Sequence, residues 1–162
     1  MTWFIVVVVI LLVCFGGVLL SGAPYLPTLT PQVKAALELA DLQPGDTLLE
    51  LGAGDGKVLI AAAQQGLHVV GYELNPLLAV LAWLRTVKYR RQVTVIWGDF
   101  WRQPWPETDA IFTFLLPRYM EKLNKKVMQY EHKPVKLVSF AFRVPNKEAA
   151  DEKADVYLYT YH

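Results

Sequence analysis

The segment from Glu50 to Gly56, ELGAGDG, has the residue types and spacing of a ligand-binding turn. Its three glycines occupy every second position, so backbone N–H groups can approach a ligand without interference from a Cβ atom. An apolar run, Thr47 to Leu49, precedes the segment and a helix-like run begins at Lys57, which is typical of a strand-to-helix turn. The free N–H groups of a helix N-terminus suit a phosphate or carboxylate. The segment predicts a site for a nucleotide-like cofactor, although a plain strand-to-helix turn has the same pattern.

Two acidic residues farther along the chain have the spacing expected of such a site. Glu73 lies twenty-one positions after Gly52, at the end of a second predicted strand, where a carboxylate can accept hydrogen bonds from a ribose diol. Asp99 follows Gly98 at the end of a third predicted strand. Ligands of parallel sheets bind beyond the carboxyl ends of the strands, so the turn, Glu73 and Asp99 should face one crevice. For Asp99, a simple turn after Gly98 is the alternative.

Strands and helices must alternate to place these residues at one edge. Thr30 and Asn75 are predicted to cap helices that begin at Pro31 and Pro76. The predicted strands are residues 47–51, 68–73, 93–97, 109–114, 135–142 and 156–161, and further helices follow residue 56 and residue 117. This order predicts an α/β fold with a sheet of about six strands, the last antiparallel, and helices on both faces.

The first 21 residues have the composition of a membrane-spanning helix. No charged residue occurs from Trp3 to Leu20, and about 18 residues are just enough to cross the hydrocarbon core. A cleavable signal peptide ending near residues 21–23 is the alternative, but no Lys or Arg precedes the apolar run. We predict one transmembrane helix at residues 1–21, a linker at 22–29 and a globular domain at 30–162. Because the basic residues follow the span, a single-pass membrane protein with its domain facing the cytoplasm is expected.

Charge and composition exclude several classes of partner. The formal net charge is +1, whereas a nucleic-acid-binding domain is usually clearly basic, so no nucleic-acid partner is expected. Cys14 is the only cysteine, which rules out a disulfide within the chain and fits a reducing compartment. Three histidines without paired spacing predict no metal site.

The pattern E-x-G-x-G-x-G, with Lys57 where a dinucleotide-binding turn has glycine, resembles motif I of the class I S-adenosylmethionine-dependent methyltransferases. The resemblance implies a Rossmann-like methyltransferase sheet and S-adenosyl-L-methionine as the cofactor. It also implies that Glu50 to Gly56 holds the methionine part, Glu73 the ribose hydroxyls and Asp99 the adenine amino group, with Phe100 near the adenine ring. The cofactor-binding candidates are Glu50, Gly52, Ala53, Gly54, Asp55, Gly56, Glu73, Leu74, Asp99 and Phe100.

Several segments resemble one family of small membrane-anchored protein-lysine methyltransferases. They are residues 52–57, 71–76 and 99–102, Pro27-Thr28, and the pattern Pro117-x-x-Met120-x-x-Leu123. The family includes the mitochondrial enzymes that act on the ATP synthase c-subunit and on the adenine nucleotide translocase. The resemblance implies methylation of a lysine on a membrane-associated protein.

The acceptor site is predicted at the end of the fourth strand, with Leu116 and Pro117 as channel candidates. The segment from Phe114 to Pro117 departs from the smaller residues of the family, and no residue stands out as a general base. Two alternatives stay open at this point. One is a methyltransferase for a small or lipid-like acceptor, and the other is a membrane module that binds the cofactor without catalysis.

Overall fold

Seven strands form one sheet in the part of the chain that the computed structural model describes, residues 3–6, 9, 28–132 and 134–162. The strands are β1 (Thr47–Leu51), β2 (His68–Glu73), β3 (Val93–Trp97), β4 (Ala110–Thr113), β5 (Val135–Phe140), β6 (Asp151–Lys153) and β7 (Val156–Tyr161). The helices of this region are α1 (Thr30–Ala40), α2 (Lys57–Gln64), α3 (Pro76–Thr86) and α4 (Pro117–Met128), and a short 3-10 helix, Val87–Tyr89, follows α3.

The sheet has the order β3-β2-β1-β4-β5-β7-β6. Strands β1 to β5 are parallel, whereas β7 is antiparallel to β5 and β6 is antiparallel to β7. The carboxyl ends of β1, β2, β3 and β4 therefore lie at one edge. The residues that follow these four strands are the ones from which the candidate site is built.

The prediction of about six strands, with only the last antiparallel, is wrong by one strand. Strand β6 lies in a segment, Asp151 to Lys153, that has only exposed charged side chains and no apolar alternation. Its local sequence does not specify a strand. It forms because its backbone pairs with the free edge of β7, from Asp151 opposite Leu158 to Lys153 opposite Val156.

The prediction of an N-terminal transmembrane helix is also corrected. No helix among the described residues is long and apolar enough to cross a membrane. Within the predicted span, residues 3–6 and 9 are helical, and the rest of residues 1–21, like residues 22–27 of the linker, lies outside the described residues. An uncharged apolar run is a compositional signal for a span, and composition alone does not specify a continuous helix of about 20 residues. The cytoplasmic orientation stays a prediction.

Alternation along the strands divides the core into two layers. Leu48 packs with residues of α1 and α2 on one face of the sheet, whereas its neighbour Leu49 packs with residues of α4 on the other. This follows from the opposite direction of successive side chains in a strand. Helices thus cover both faces of the sheet, and the strand ends are held between two packed layers.

One methionine of α4 lies on the packed side of this helix and another lies on its exposed side. Met120 is fully buried against the sheet, whereas Met128 is 58% exposed. We expect Met120→Ala to lower the free energy of unfolding by about 2–5 kcal/mol, because it leaves a cavity in the core. Met128→Ala should change it by less than about 0.5 kcal/mol. Urea denaturation of both variants measures this difference, and equal losses would contradict the assignment of the two faces.

Candidate cofactor site

The glycine turn is joined to the end of β2 by backbone hydrogen bonds. The N–H groups of Gly52 and Ala53 donate to the carbonyl oxygen of Tyr72 at 3.0 and 2.8 Å. The Gly54 N–H donates to Oε2 of Glu73 at 2.7 Å. The turn that leaves β1 and the acidic residue that ends β2 therefore form one hydrogen-bonded unit, which is the juxtaposition that the sequence predicts.

Glycine is required in this turn for two different reasons. Gly52 and Gly56 have φ angles of +97° and +80°, in the left-handed region that residues with a Cβ rarely adopt. A Cβ on Gly56 would also lie 3.2 Å from the Cα of Ala82, so α3 passes directly behind the turn. At Gly52 an added Cβ would meet nothing within 4 Å. One side of the turn is thus closed by α3, and the side at Gly52 is open to a ligand.

Glu73 is held in place by backbone donors from two elements. Its side chain is 7% exposed, and its Oε1 accepts a hydrogen bond from the Asn75 N–H at 2.8 Å. Burial raises the pKa of the Glu73 carboxyl, and the hydrogen bonds from Asn75 and Gly54 oppose that rise. Asn75 also caps α3, because its Oδ1 accepts from the Leu77 N–H at 2.9 Å. The predicted cap is confirmed, and it places the start of α3 next to the candidate site.

Glu50 is the most deeply buried acidic group of the site. It is 3% exposed, and its Oε2 has no hydrogen-bond partner among the described residues. Burial raises the pKa of Glu50 well above its ordinary value, and the nearby carboxylates of Glu73 and Asp55 raise it further. A backbone hydrogen bond from Leu59 opposes this rise. Glu50 and Glu73 together form a buried acidic pair that a positively charged ligand would stabilise.

Asp99 lies at the same edge, but its carboxylate also forms a local turn. The Gly98 N–H donates to the carbonyl oxygen of Glu73 at 2.9 Å, which places Asp99 just beyond the end of β2. Its Oδ1 accepts a hydrogen bond from the Trp101 N–H at 2.9 Å, and its Oδ2 lies 3.6 Å from Nε of Arg102. Asp99 thus lies at the edge where the sequence predicts a cofactor-binding residue. Its carboxylate also makes the local turn that was the alternative interpretation. Phe100 packs against the α4 side of the core.

Arg85 is a contact of the site that the sequence does not reveal. The group from Arg85 to Arg91 resembles a solvated helix end, yet Arg85 forms an ion pair with Asp55 in the glycine turn. The same guanidinium donates to the carbonyl oxygen of Asp55 at 3.0 Å. This contact depends on the path of α3 past Gly56, for which the only signal in the sequence is the small residue Ala82. Arg85 therefore holds Asp55 from the side of the turn that α3 covers.

The predicted acceptor segment lies beside the glycine turn. Thr113, the last residue of β4, pairs in register with Leu51, the last residue of β1. The next residues lead to Leu116, the N-cap of α4, and to Pro117, its first residue. The ring of Phe114 contacts that of Phe140 at the end of β5, with centroids 4.5 Å apart. Residues 114–117 therefore form an apolar segment that contains no ionisable side chain.

Comparison with solved structures shows the class of this fold. An RNA methyltransferase from Salinibacter ruber, solved with S-adenosyl-L-homocysteine, superposes with a TM-score of 0.77 and 30% identity, over 83% of this chain and 93% of that one. The fold is that of a class I S-adenosylmethionine-dependent methyltransferase. The profile of the ANTKMT methyltransferase domain matches residues 50–151, and the chain belongs to that family.

Curated relatives agree with this assignment. The chain is 32% identical over 127 residues to the ATP synthase c-subunit lysine N-methyltransferase of Xenopus laevis, covering 76% of this chain and 55% of the relative. It is 32% identical over 125 residues to the adenine nucleotide translocase lysine N-methyltransferase of Mus musculus, covering 75% and 54%. A protein-lysine N-methyltransferase of Saccharolobus islandicus is 30% identical over 126 residues, covering 75% of this chain and 78% of the relative. The chain spans about half the length of the first two relatives.

The residues of the site fit the cofactor of this class, S-adenosyl-L-methionine. The open side of the turn at Gly52 leaves room for close approach, and the unpartnered oxygen of Glu50 lies among buried negative groups. A ligand that carries a sulfonium and an ammonium group supplies positive charge that offsets the negative charge of these carboxylates. The predicted cofactor is confirmed at the level of the family. The binding roles of the individual residues stay predictions.

Glu50 should make the stability of the protein depend on pH. Because its pKa is raised in the folded state, the folded chain holds this proton more tightly than the unfolded chain. The stabilisation from this bound proton is present below the ordinary glutamate pKa of about 4.3. It is lost as pH rises through the raised pKa that Glu50 has in the folded state. We expect the free energy of unfolding, relative to Glu50→Gln, to fall as pH is raised from about 4 to about 8.

Urea denaturation of the ligand-free protein across this pH range measures the effect. Glu121→Gln is the control, because Glu121 is exposed and its hydrogen bond to Lys125 lowers its pKa, the opposite direction. Stability curves of wild type and Glu50→Gln that stay parallel over the whole range would contradict the prediction.

Proposed function

We propose that this chain is an S-adenosylmethionine-dependent methyltransferase that methylates a lysine of a membrane-associated protein. The observation that carries the proposal is the glycine turn hydrogen-bonded to Glu73 through Gly54 N–H, at the edge where β4 ends in an apolar segment. The names of the relatives support the acceptor class, since they specify lysines of the ATP synthase c-subunit and of the adenine nucleotide translocase.

Methyl transfer requires the chain mainly to position the cofactor and the acceptor lysine. When bound, the cofactor would supply a methyl group on a sulfonium, and the neutral thioether that remains after transfer is a good leaving group. A lysine Nζ forms the new N–C bond as the S–C bond breaks, and the nitrogen then loses a proton. Phe114 and Leu116 offer apolar surface to the aliphatic stem of a lysine, and desolvation there favours its neutral, nucleophilic form. In-line positioning supplies much of the remaining catalysis.

Cofactor binding should depend on the carboxylate of Glu73. We expect Glu73→Ala to weaken S-adenosylmethionine binding by about tenfold or more, the usual loss for a hydrogen bond to a charged group. Glu73→Gln, which keeps one accepting oxygen, should have an intermediate affinity. Calorimetric titration measures both, with Glu107→Ala as the control because Glu107 is exposed and distant in sequence from the turn. Unchanged affinity in a folded Glu73→Ala variant would refute the ribose-binding role.

The acceptor class can be decided by following a labelled methyl group. Full-length protein is incubated with labelled cofactor and with a membrane fraction, its lipid extract or purified RNA. Label on lysine in the protein fraction supports the proposal, and mass spectrometry then identifies the modified residue. Label in the lipid extract supports a lipid-like acceptor, and label in RNA supports the activity named for the Salinibacter ruber protein. Cofactor binding without labelled product would support a non-catalytic module.

The pH dependence of methylation tests whether the protein supplies a base. Because residues 114–117 carry no ionisable side chain, we expect the acceptor amine to lose its proton to solvent. The logarithm of the rate should then rise with a slope of about one per pH unit, up to the pKa of the bound lysine, which is about 10.4 when unperturbed. Initial rates at saturating cofactor measure this slope. A rate that is independent of pH while the bound lysine is still protonated would contradict this expectation.

A further inference from the structure

The side of α3 that faces away from the sheet is apolar and exposed. Its residues are Leu77, Val80, Leu81, Trp83, Leu84 and the following Val87, which we call the α3 outer face. Each of these side chains is at least 40% exposed, and Val80, Trp83 and Leu84 exceed 54%. The opposite side, with Leu78, Ala79 and Ala82, is buried. A helix that is apolar on both sides is normally covered on both, by protein or by lipid.

Trp97 extends this face toward the candidate cofactor site. It ends the edge strand β3, its side chain is 67% exposed, and its Nε1–H donates to the carbonyl oxygen of Leu74 at 3.1 Å. Leu74 directly follows Glu73 in the chain. The α3 outer face therefore reaches the edge of the sheet where the cofactor site lies.

The charge around the α3 outer face is positive, although the whole chain is nearly neutral. Between Gly56 and Gly98 the only acidic residue is Glu73, which is buried. The same stretch contains the basic residues Lys57, Arg85, Lys88, Arg90 and Arg91, of which Arg85 is paired with Asp55. Lys88, Arg90 and Arg91 are exposed and directly follow α3 and its 3-10 extension. An apolar surface with a cationic end is complementary to a layer of acyl chains beneath anionic headgroups.

We propose that the α3 outer face binds the surface of an anionic lipid bilayer. The acyl boundary would be entered by Leu77, Val80, Leu81 and Leu84. The indoles of Trp83 and Trp97 suit the membrane–water interface, because an indole has an apolar ring and a polar N–H. The exposed arginines would contact headgroup phosphates. A second copy of this chain is disfavoured as the occupant, because it would pair two surfaces that both carry positive charge. This inference is independent of the proposed catalytic activity.

Docking in this orientation has a consequence for the site. The face and the cofactor crevice share the loop from Glu73 to Pro76, so the bilayer surface would lie beside the crevice. Acceptors presented at a lipid surface would then meet the active edge of the sheet without diffusing through solution.

A spin label on α3 tests the proposal in the full chain. Cys14 is the only cysteine, so Cys14→Ser provides a background for single labels at Leu84→Cys and, as control, at Met128→Cys on α4. With vesicles of phosphatidylcholine and phosphatidylserine, the label at residue 84 should become accessible to oxygen and protected from a polar nickel relaxant. The label at residue 128 should not change. The readout is local to α3, so attachment of another part of the chain to the vesicle does not produce it.

Two other results would overturn the proposal. Residue 84 could remain accessible to the nickel reagent at saturating anionic lipid, which would show that the face stays in water. Alternatively, dipolar broadening of the spectrum with rising protein concentration in the absence of lipid would assign the face to a second copy.

Charge variants test the role of the basic end. Arg90→Gln combined with Arg91→Gln should raise the anionic lipid concentration that protects half of the label by roughly thirtyfold, because each basic residue near the surface adds attraction. Lys34→Gln combined with Lys125→Gln removes the same charge from other helices and should shift it much less. Equal shifts in the two pairs, or equal protection by pure phosphatidylcholine vesicles, would overturn the electrostatic part of the proposal.

Discussion

The carboxylate of Glu73 connects the three elements on which the site depends. One oxygen accepts from Gly54 in the glycine turn, and the other accepts from Asn75 at the start of α3. The residue itself ends β2, so the turn after β1, the end of β2 and the first turn of α3 share a single buried group. Charge-assisted hydrogen bonds of this kind are roughly twice as strong as neutral ones. Loss of this group would free the turn and α3 together.

This arrangement carries an electrostatic cost that the ligand-free protein does not fully offset. Burial raises the pKa of both Glu50 and Glu73, and one oxygen of Glu50 has no partner among the described residues. A site that holds unfavourable negative charge before binding is matched to a cationic ligand, since the ligand removes the repulsion on entry. At Glu50, whose Oε2 has no partner among the described residues, this repulsion makes the ligand-free protein less stable than a neutral residue would. The buried Glu50 therefore lowers the stability of the ligand-free protein and increases its affinity for a positively charged cofactor.

The sequence predicts those parts of the fold whose signals are local. Strands β1 to β4 are apolar runs bounded by turn residues, and Asn75 caps α3 because the contact spans only a few residues. The Thr30 cap is wrong by one position, since α1 begins at Thr30 and Leu29 precedes it without a side-chain hydrogen bond. Strand β6 and the Arg85–Asp55 ion pair depend on distant partners, the edge of β7 and the path of α3. Neither has a local signal.

The apolar composition of α3 shows how one pattern can have two different physical causes. From the sequence, a helix that is apolar nearly all round suggests burial between other elements. In the structure only one side, at Leu78, Ala79 and Ala82, is buried against β2, β3 and α2. The described sheet ends at β3, so among the described residues no further strand and helix cover the other side. An edge helix with this composition gains stability from a partner outside the described fold, and the positive charge beside it favours a negative surface.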